Sequence, residues 1–146
     1  MGGMSQIVKN AARLFAGFIM TFGIYIVCYG HLTPGGGFAG GVILAGGFVL
    51  LILACGRRDG SFGLDEASHL FEPVGALLFL LVACLGLGAA LFFKNYAFSP
   101  GLQQGRSLLG GGTVLLSNLA IGLKVWMGIV AVFLGLAMFR RSGAEE

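Results

Sequence analysis

The chain has very little charge. Only 10% of its 146 residues are Asp, Glu, Lys or Arg, where a soluble domain carries about 25%. With 57% hydrophobic residues and a mean hydropathy of +0.93, the composition belongs in lipid rather than water. The net charge of +3 is spread over short flanks and loops, with no basic cluster of the kind that nucleic acid requires. Cysteine is scarce as well: Cys28, Cys55 and Cys84 are an odd set without a CxxC spacing, so neither structural disulfides nor zinc are expected. Bulky Val27 before Cys28 excludes a lipoprotein cysteine. No small-x-small cleavage site follows Lys9, Arg13 and the first apolar run, which speaks against a cleaved signal peptide. No nucleophile–base pair, phosphate loop, nucleotide site or ligand set for a redox centre is recognisable. The expectation is a non-catalytic membrane protein with no cofactor and no metal.

What the chain does have is glycine, 27 residues of it, more than twice the ordinary share of about 7%. In a membrane, small residues let helices approach closely. The apolar runs cover 12–30, 38–55, 73–93 and 113–139, each near or above the roughly 20 residues that cross the hydrocarbon core. Irregular chain cannot span lipid, so the expected fold is all-α and integral to the membrane. It is a single four-helix transmembrane domain over 1–146, with both termini on one face. Lys9, Arg13, Arg57, Arg58, Arg140 and Arg141 lie on that face, against Lys94 and Arg106 on the other. The positive-inside rule makes the first face cytoplasmic. In the 56–72 loop, Asp65, Glu66 and Ser68 ahead of Leu70 and Phe71 suggest a short interfacial amphipathic segment. Glu72 and Pro73 would then open the third span, since proline suits the first helical turn and an acid its positive end.

Residues 30–41 read GHLTPGGGFAGG. Proline and three glycines cannot continue a helix, so Pro34, Gly35, Gly36 and Gly37 are expected to form a tight reversal between the first two spans. A second triple glycine, Gly110 to Gly112, precedes the last span. His31 ends the first span beside the turn, where imidazole could relay protons near neutral pH or simply cap the helix. His69 belongs to the opposite face, so the two histidines cannot share a ligand. Gly37, Gly41 and Ala45 make a small-xxx-small face, read as packing rather than as a binding site.

Lys124 is the most informative single residue. It lies near the middle of 113–139, and a lysine at that depth costs about 2.5–3.5 kcal/mol on insertion scales. At the helical period, Thr113, Ser117, Ala120, Lys124, Gly128, Ala131 and Gly135 form one narrow stripe of small and polar residues, a face suited to another helix. The apolar runs contain no acid. Glu72 is the nearest candidate partner but reads as too shallow, which leaves carbonyls, amides of the Asn118 type, water, or a counter-charge from another subunit. The last is preferred. Lys124 is then either an element of a proton or cation path, or one half of an ion pair that locks two subunits together. Glu72 has a similar choice, between proton entry and a plain helix-dipole role.

GHLTPGGGFAGGVILA resembles the signature of the MrpB family, a small component of the Mrp-type multisubunit Na+/H+ antiporters, with a pattern near GH-x-x-PGGGF-x-GG. Gly30, His31, Pro34 to Phe38, Gly40 and Gly41 match it. GGGTVLLSNLAIGLKV is similar to the last span of the related subunit in the membrane arms of energy-conserving hydrogenases, through Asn118, Gly122, Leu123, Lys124 and Val125. Antiporter versions often have an acid near Asn118, and its neutrality here tilts slightly toward a redox-driven complex. The resemblance implies a small accessory subunit in a prokaryotic cytoplasmic membrane. Its partners would be larger antiporter-like or complex I-like membrane subunits, in an assembly that exchanges Na+ and H+.

Two functions follow. One is a participant in ion translocation, with Lys124, His31, Glu72 and Asn118 in or beside the path. The other is a structural assembly subunit whose glycine faces and Lys124 only seal an interface, with Gly41, Ala45, Ser117 and Gly128 as packing residues. A self-sufficient exporter of the small multidrug type is disfavoured, because such proteins rely on a glutamate in their first span and 12–30 has no acid.

Overall fold

The computed structural model describes residues 4–32, 34–55, 64–85 and 112–142, with the backbone alone for 64–71 and 138–142. These residues form four helices: α1 (Gln6–Tyr29), α2 (Gly37–Cys55), α3 (Leu64–Leu85) and α4 (Thr113–Ser142). Three of them, α1, α2 and the Thr113–Ala137 part of α4, are long and apolar enough to cross a membrane. In α3 the apolar part within the described residues is the shorter stretch Glu72–Leu85. Residues 86–93 of the expected third span, the interhelical loop to residue 111, and Gly110 and Gly111 lie outside the described residues.

The first helix starts six residues earlier than the apolar run, because Ser5 caps it: its Oγ accepts from the Val8 amide at 3.4 Å. Helix α2 begins at the last glycine of the triplet, its first bond running from Gly40 N to Gly36 O at 3.0 Å. The expected start of the third span needs correction. Helix α3 begins at Leu64, so Glu72 and Pro73 lie inside it rather than at its first turn, and residues 64–71 continue the same helix instead of forming a separate interfacial segment. A proline in the interior removes one backbone donor. Thr21 and Ser117 satisfy their hydroxyls on their own helices, Thr21 Oγ1 donating to Gly17 O at 2.9 Å and Ser117 Oγ to Thr113 O at 3.0 Å.

The packing order is α1 on α2, α2 on α4 and α4 on α3, with a smaller contact between α1 and α4. Neighbouring contacts give the directions. Gly40 meets Val27 while Gly47 meets Ala16, so α1 and α2 are antiparallel; Gly37 meets Asn118 while Gly41 meets Gly122, so α2 and α4 are parallel. Gly75 meets Ala120 and Lys124 while Glu72 meets Gly128, so α3 and α4 are antiparallel. The chain therefore alternates direction at every helix. Large apolar side chains such as Phe15, Phe18, Phe22, Leu77 and Leu81 are exposed, as expected of surfaces that face lipid or other membrane subunits. The core is small: Ala45, Val130 and Leu134 are buried, and Phe48, Ile52, Trp126 and Ile129 pack around them.

Candidate functional site

The glycine turn gives each glycine a separate reason. Gly35 has φ +158° and Gly36 φ +124°, and at Gly36 in particular an L side chain would be strained. Gly37 has an ordinary backbone but no room, since a Cβ there would run into the carbonyl of Asn118 and come within 2.9 Å of Ile121 Cβ. Gly30, the residue after α1, is also in the right-handed region, with φ −61°. It is crowded by Gly36 and by Asn118, whose Nδ2 would lie 3.0 Å from an added Cβ. The Asn118 amide thus rests on the turn from above, with Oδ1 3.5 Å from the Cβ position of Gly36. The two sequence motifs meet in space: the PGGG turn is capped by the asparagine of the last helix. His31 is half-buried in the same turn, next to Gly30, and Pro34 is exposed.

Below the turn, α2 is stitched to both neighbours by backbone contact. Its Gly37–Gly41–Ala45 face meets α4, where a Cβ on Gly41 would lie 2.7 Å from Gly122 O. Its Gly40–Gly47 face meets α1, where a Cβ on Gly40 would lie 2.9 Å from both Gly23 O and Val27 N. Gly41 and Ala45 are buried. Ser117, expected at a helix contact, is half-buried and uses its hydroxyl within α4.

Lys124 belongs to a different face. Six residues beyond Asn118, it is turned about 120° around the helix and lies about 9 Å further along it. Asn118 serves the turn, so it is no partner for the lysine. The backbone of Lys124 is seated on α3, where a Cβ on Gly75 would lie 2.8 Å from its amide nitrogen and 2.9 Å from its Cβ. The residue as a whole is exposed, its stem leaving the α3–α4 seam at the edge. Glu72 is half-buried, and its carboxyl packs on Gly128, with Cδ 3.7 Å and Oε1 3.8 Å from the Cβ position of that glycine. The reading of Glu72 as too shallow is therefore corrected: its carboxyl faces the middle of α4, one turn from Lys124. Gly75 was missed in the sequence. The signal was there, in a lone glycine within the leucine-rich stretch 74–85. Among the described residues, no group of His, Cys, Asp and Glu could hold a metal, and the three cysteines are free.

These features define a class: a helical membrane protein with glycine-stitched spans, a capped glycine turn and ionisable groups at one seam. A family model described as "Domain related to MnhB subunit of Na+/H+ antiporter" matches residues 7–131. The chain belongs to that family, the one that its glycine-turn motif resembles, and is a multi-pass protein of the prokaryotic cell membrane. It is 31% identical over 141 residues to an uncharacterized protein of Methanocaldococcus jannaschii, MJ1307, over 91% of this chain and 53% of that one. It is 29% identical over 134 residues to a Staphylococcus haemolyticus protein named as antiporter subunit mnhB2. To the protein of the same name in Staphylococcus aureus strain Newman it is 27% identical over 131 residues. Both of these alignments take in 90% of this chain and 93% of the relative. The chain thus spans about half the length of the Methanocaldococcus relative and nearly all of the staphylococcal ones.

Proposed function

We propose that this chain is an accessory membrane subunit of a multisubunit Na+/H+ antiporter, partnered by other membrane subunits, and that Lys124 stands in or beside the path of the exchanged ions. The observation that carries this reading is an exposed amine well within a helix of membrane-spanning length, with its stem fixed on Gly75. An amine at that depth is costly unless it has work or a partner. Family membership and the antiporter-subunit names of the staphylococcal relatives support the assembly. The distribution of Lys and Arg supports cytoplasmic termini and an outward glycine turn.

The second reading is a subunit that only seals interfaces, favoured by the extent of bare backbone contact along α2. Replacing Lys124 by Met in the native complex separates the two. An intact complex that has lost Na+-driven proton exchange supports the path, and a complex that sheds subunits supports the seal. A redox-driven, hydrogenase-like form rests on the GLKV resemblance of the last span and on the neutral Asn118. Purifying the wild-type complex in gentle detergent tests it, since iron–sulfur or nickel subunits would accompany the chain.

A further inference from the structure

Glu72 is the only acid between residues 67 and 144, and its carboxyl packs on α4 one turn from Lys124. Three residues along α3 from Gly75 is about 4.5 Å, and four along α4 from Lys124 to Gly128 is about 6 Å. Because the two helices run in opposite directions, these offsets point the same way and set Glu72 level with Gly128, one turn from Lys124 along the seam. We propose that Glu72 is the counter-charge of Lys124, and that the two form an openable acid–base pair across the α3–α4 seam.

The arrangement described is its open form, for a physical reason. Side chains lean toward the N-terminus of their own helix. In antiparallel neighbours that sends Lys124 toward Ala120 and the turn end, and Glu72 toward the opposite end, where its carboxyl meets Gly128. The lysine stem has four methylenes and one exposed side, so rotating it along the seam closes the gap without moving either helix. Gly128 leaves room for this, since a larger side chain there would occupy the space beside the carboxyl. Closed, the pair is neutral and can face an apolar neighbour. Open, it presents a carboxylate at mid-helix depth in the form that takes up a proton or a small monovalent cation. This deepens the proposed ion path, and it also removes the need for a counter-charge from another subunit.

The test is a double-mutant cycle on the full-length chain purified in detergent, read by thermal unfolding, beside Na+-driven exchange by the same variants in the native complex. Glu72→Lys and Lys124→Glu should each lower Tm by several degrees, since each sets two like charges a turn apart. The swapped double variant should recover at least half of the summed loss. Glu72→Gln, Lys124→Met and their combination form a milder cycle with the same expected sign, should a charge reversal fail to fold. Losses that simply add in both cycles overturn the pair, whatever happens to exchange. Coupled losses with exchange unchanged in the Gln and Met variants keep the pair and overturn the ion-path reading instead.

Discussion

The α2–α4 seam and the α3–α4 seam share one helix and are built from opposite materials. Along α2, glycines bring backbone against backbone, with Gly37 on Asn118 and Gly41 on Gly122, and α2 itself contains no Asp, Glu, Lys, Arg or His. Along α3 a single glycine, Gly75, makes the close approach, flanked by Glu72 and Lys124. Close-packed backbone has many mutual contacts and little freedom to rearrange. A seam edged by long charged side chains can open at its rim while its centre stays shut. The first seam holds the protein together; the second is where charge can be held and released.

The largest effect should come from breaking the rigid side. Gly41→Val places a branched side chain against α4, where a bare Cβ already lies 2.7 Å from Gly122 O and 2.9 Å from Val125 Cβ. It should destabilise the purified chain by about 3 kcal/mol or more, seen as a lower thermal midpoint by circular dichroism. Gly36→Ala comes next, at about 1–3 kcal/mol, and here the reason is the backbone rather than space. An added Cβ meets only Asn118 Oδ1 at 3.5 Å, an ordinary contact, whereas φ is +124°. Asn118→Ala in the same chain should therefore bring no relief, and relief would show that crowding was the cause.

Gly75→Ala tests the other seam. Its methyl would meet the Lys124 amide at 2.8 Å, pushing α3 from α4 for about 1–2 kcal/mol. Proteolysis should then cut α3 first and leave α1, α2 and α4 intact. The smallest effect, with opposite sign, belongs to Gly17→Ala on the exposed side of α1. Nothing lies within 4 Å of its Cβ position, so better helix propensity should stabilise the chain by up to about 1 kcal/mol.

How much of this was legible in the sequence varied with the range of the interaction. The PGGG reversal could be read because its cause is local: proline stops a helix, and only glycine takes the backbone angle of Gly36. The Gly37–Gly41–Ala45 face could be read because a four-residue period of small residues marks a helix contact. Glu72 was misplaced for an equally local reason. An acid followed by proline is the pattern of a helix start, and nothing nearby reveals that the preceding eight residues are helical too. The contact of Asn118 with the turn and that of Glu72 with Gly128 join residues more than fifty positions apart. Neither leaves a periodic trace, so only the fold reveals them.

Trp126 is the chain's one tryptophan, and its place between α2 and α4 has an optical consequence. Its ring stands edge-on to Phe48, 6.0 Å between centroids at 76°, with Nε1 buried and without a hydrogen-bond partner among the described residues. Beside it is an open apolar groove of about 160 Å³, lined also by Val27, Leu44, Leu119 and Gly122. An indole in such a setting emits toward the blue and reddens when water reaches it. The purified chain thus carries its own fluorescent gauge of the rigid seam, one that should redden with Gly41→Val and stay blue when the charges across α3 and α4 are exchanged.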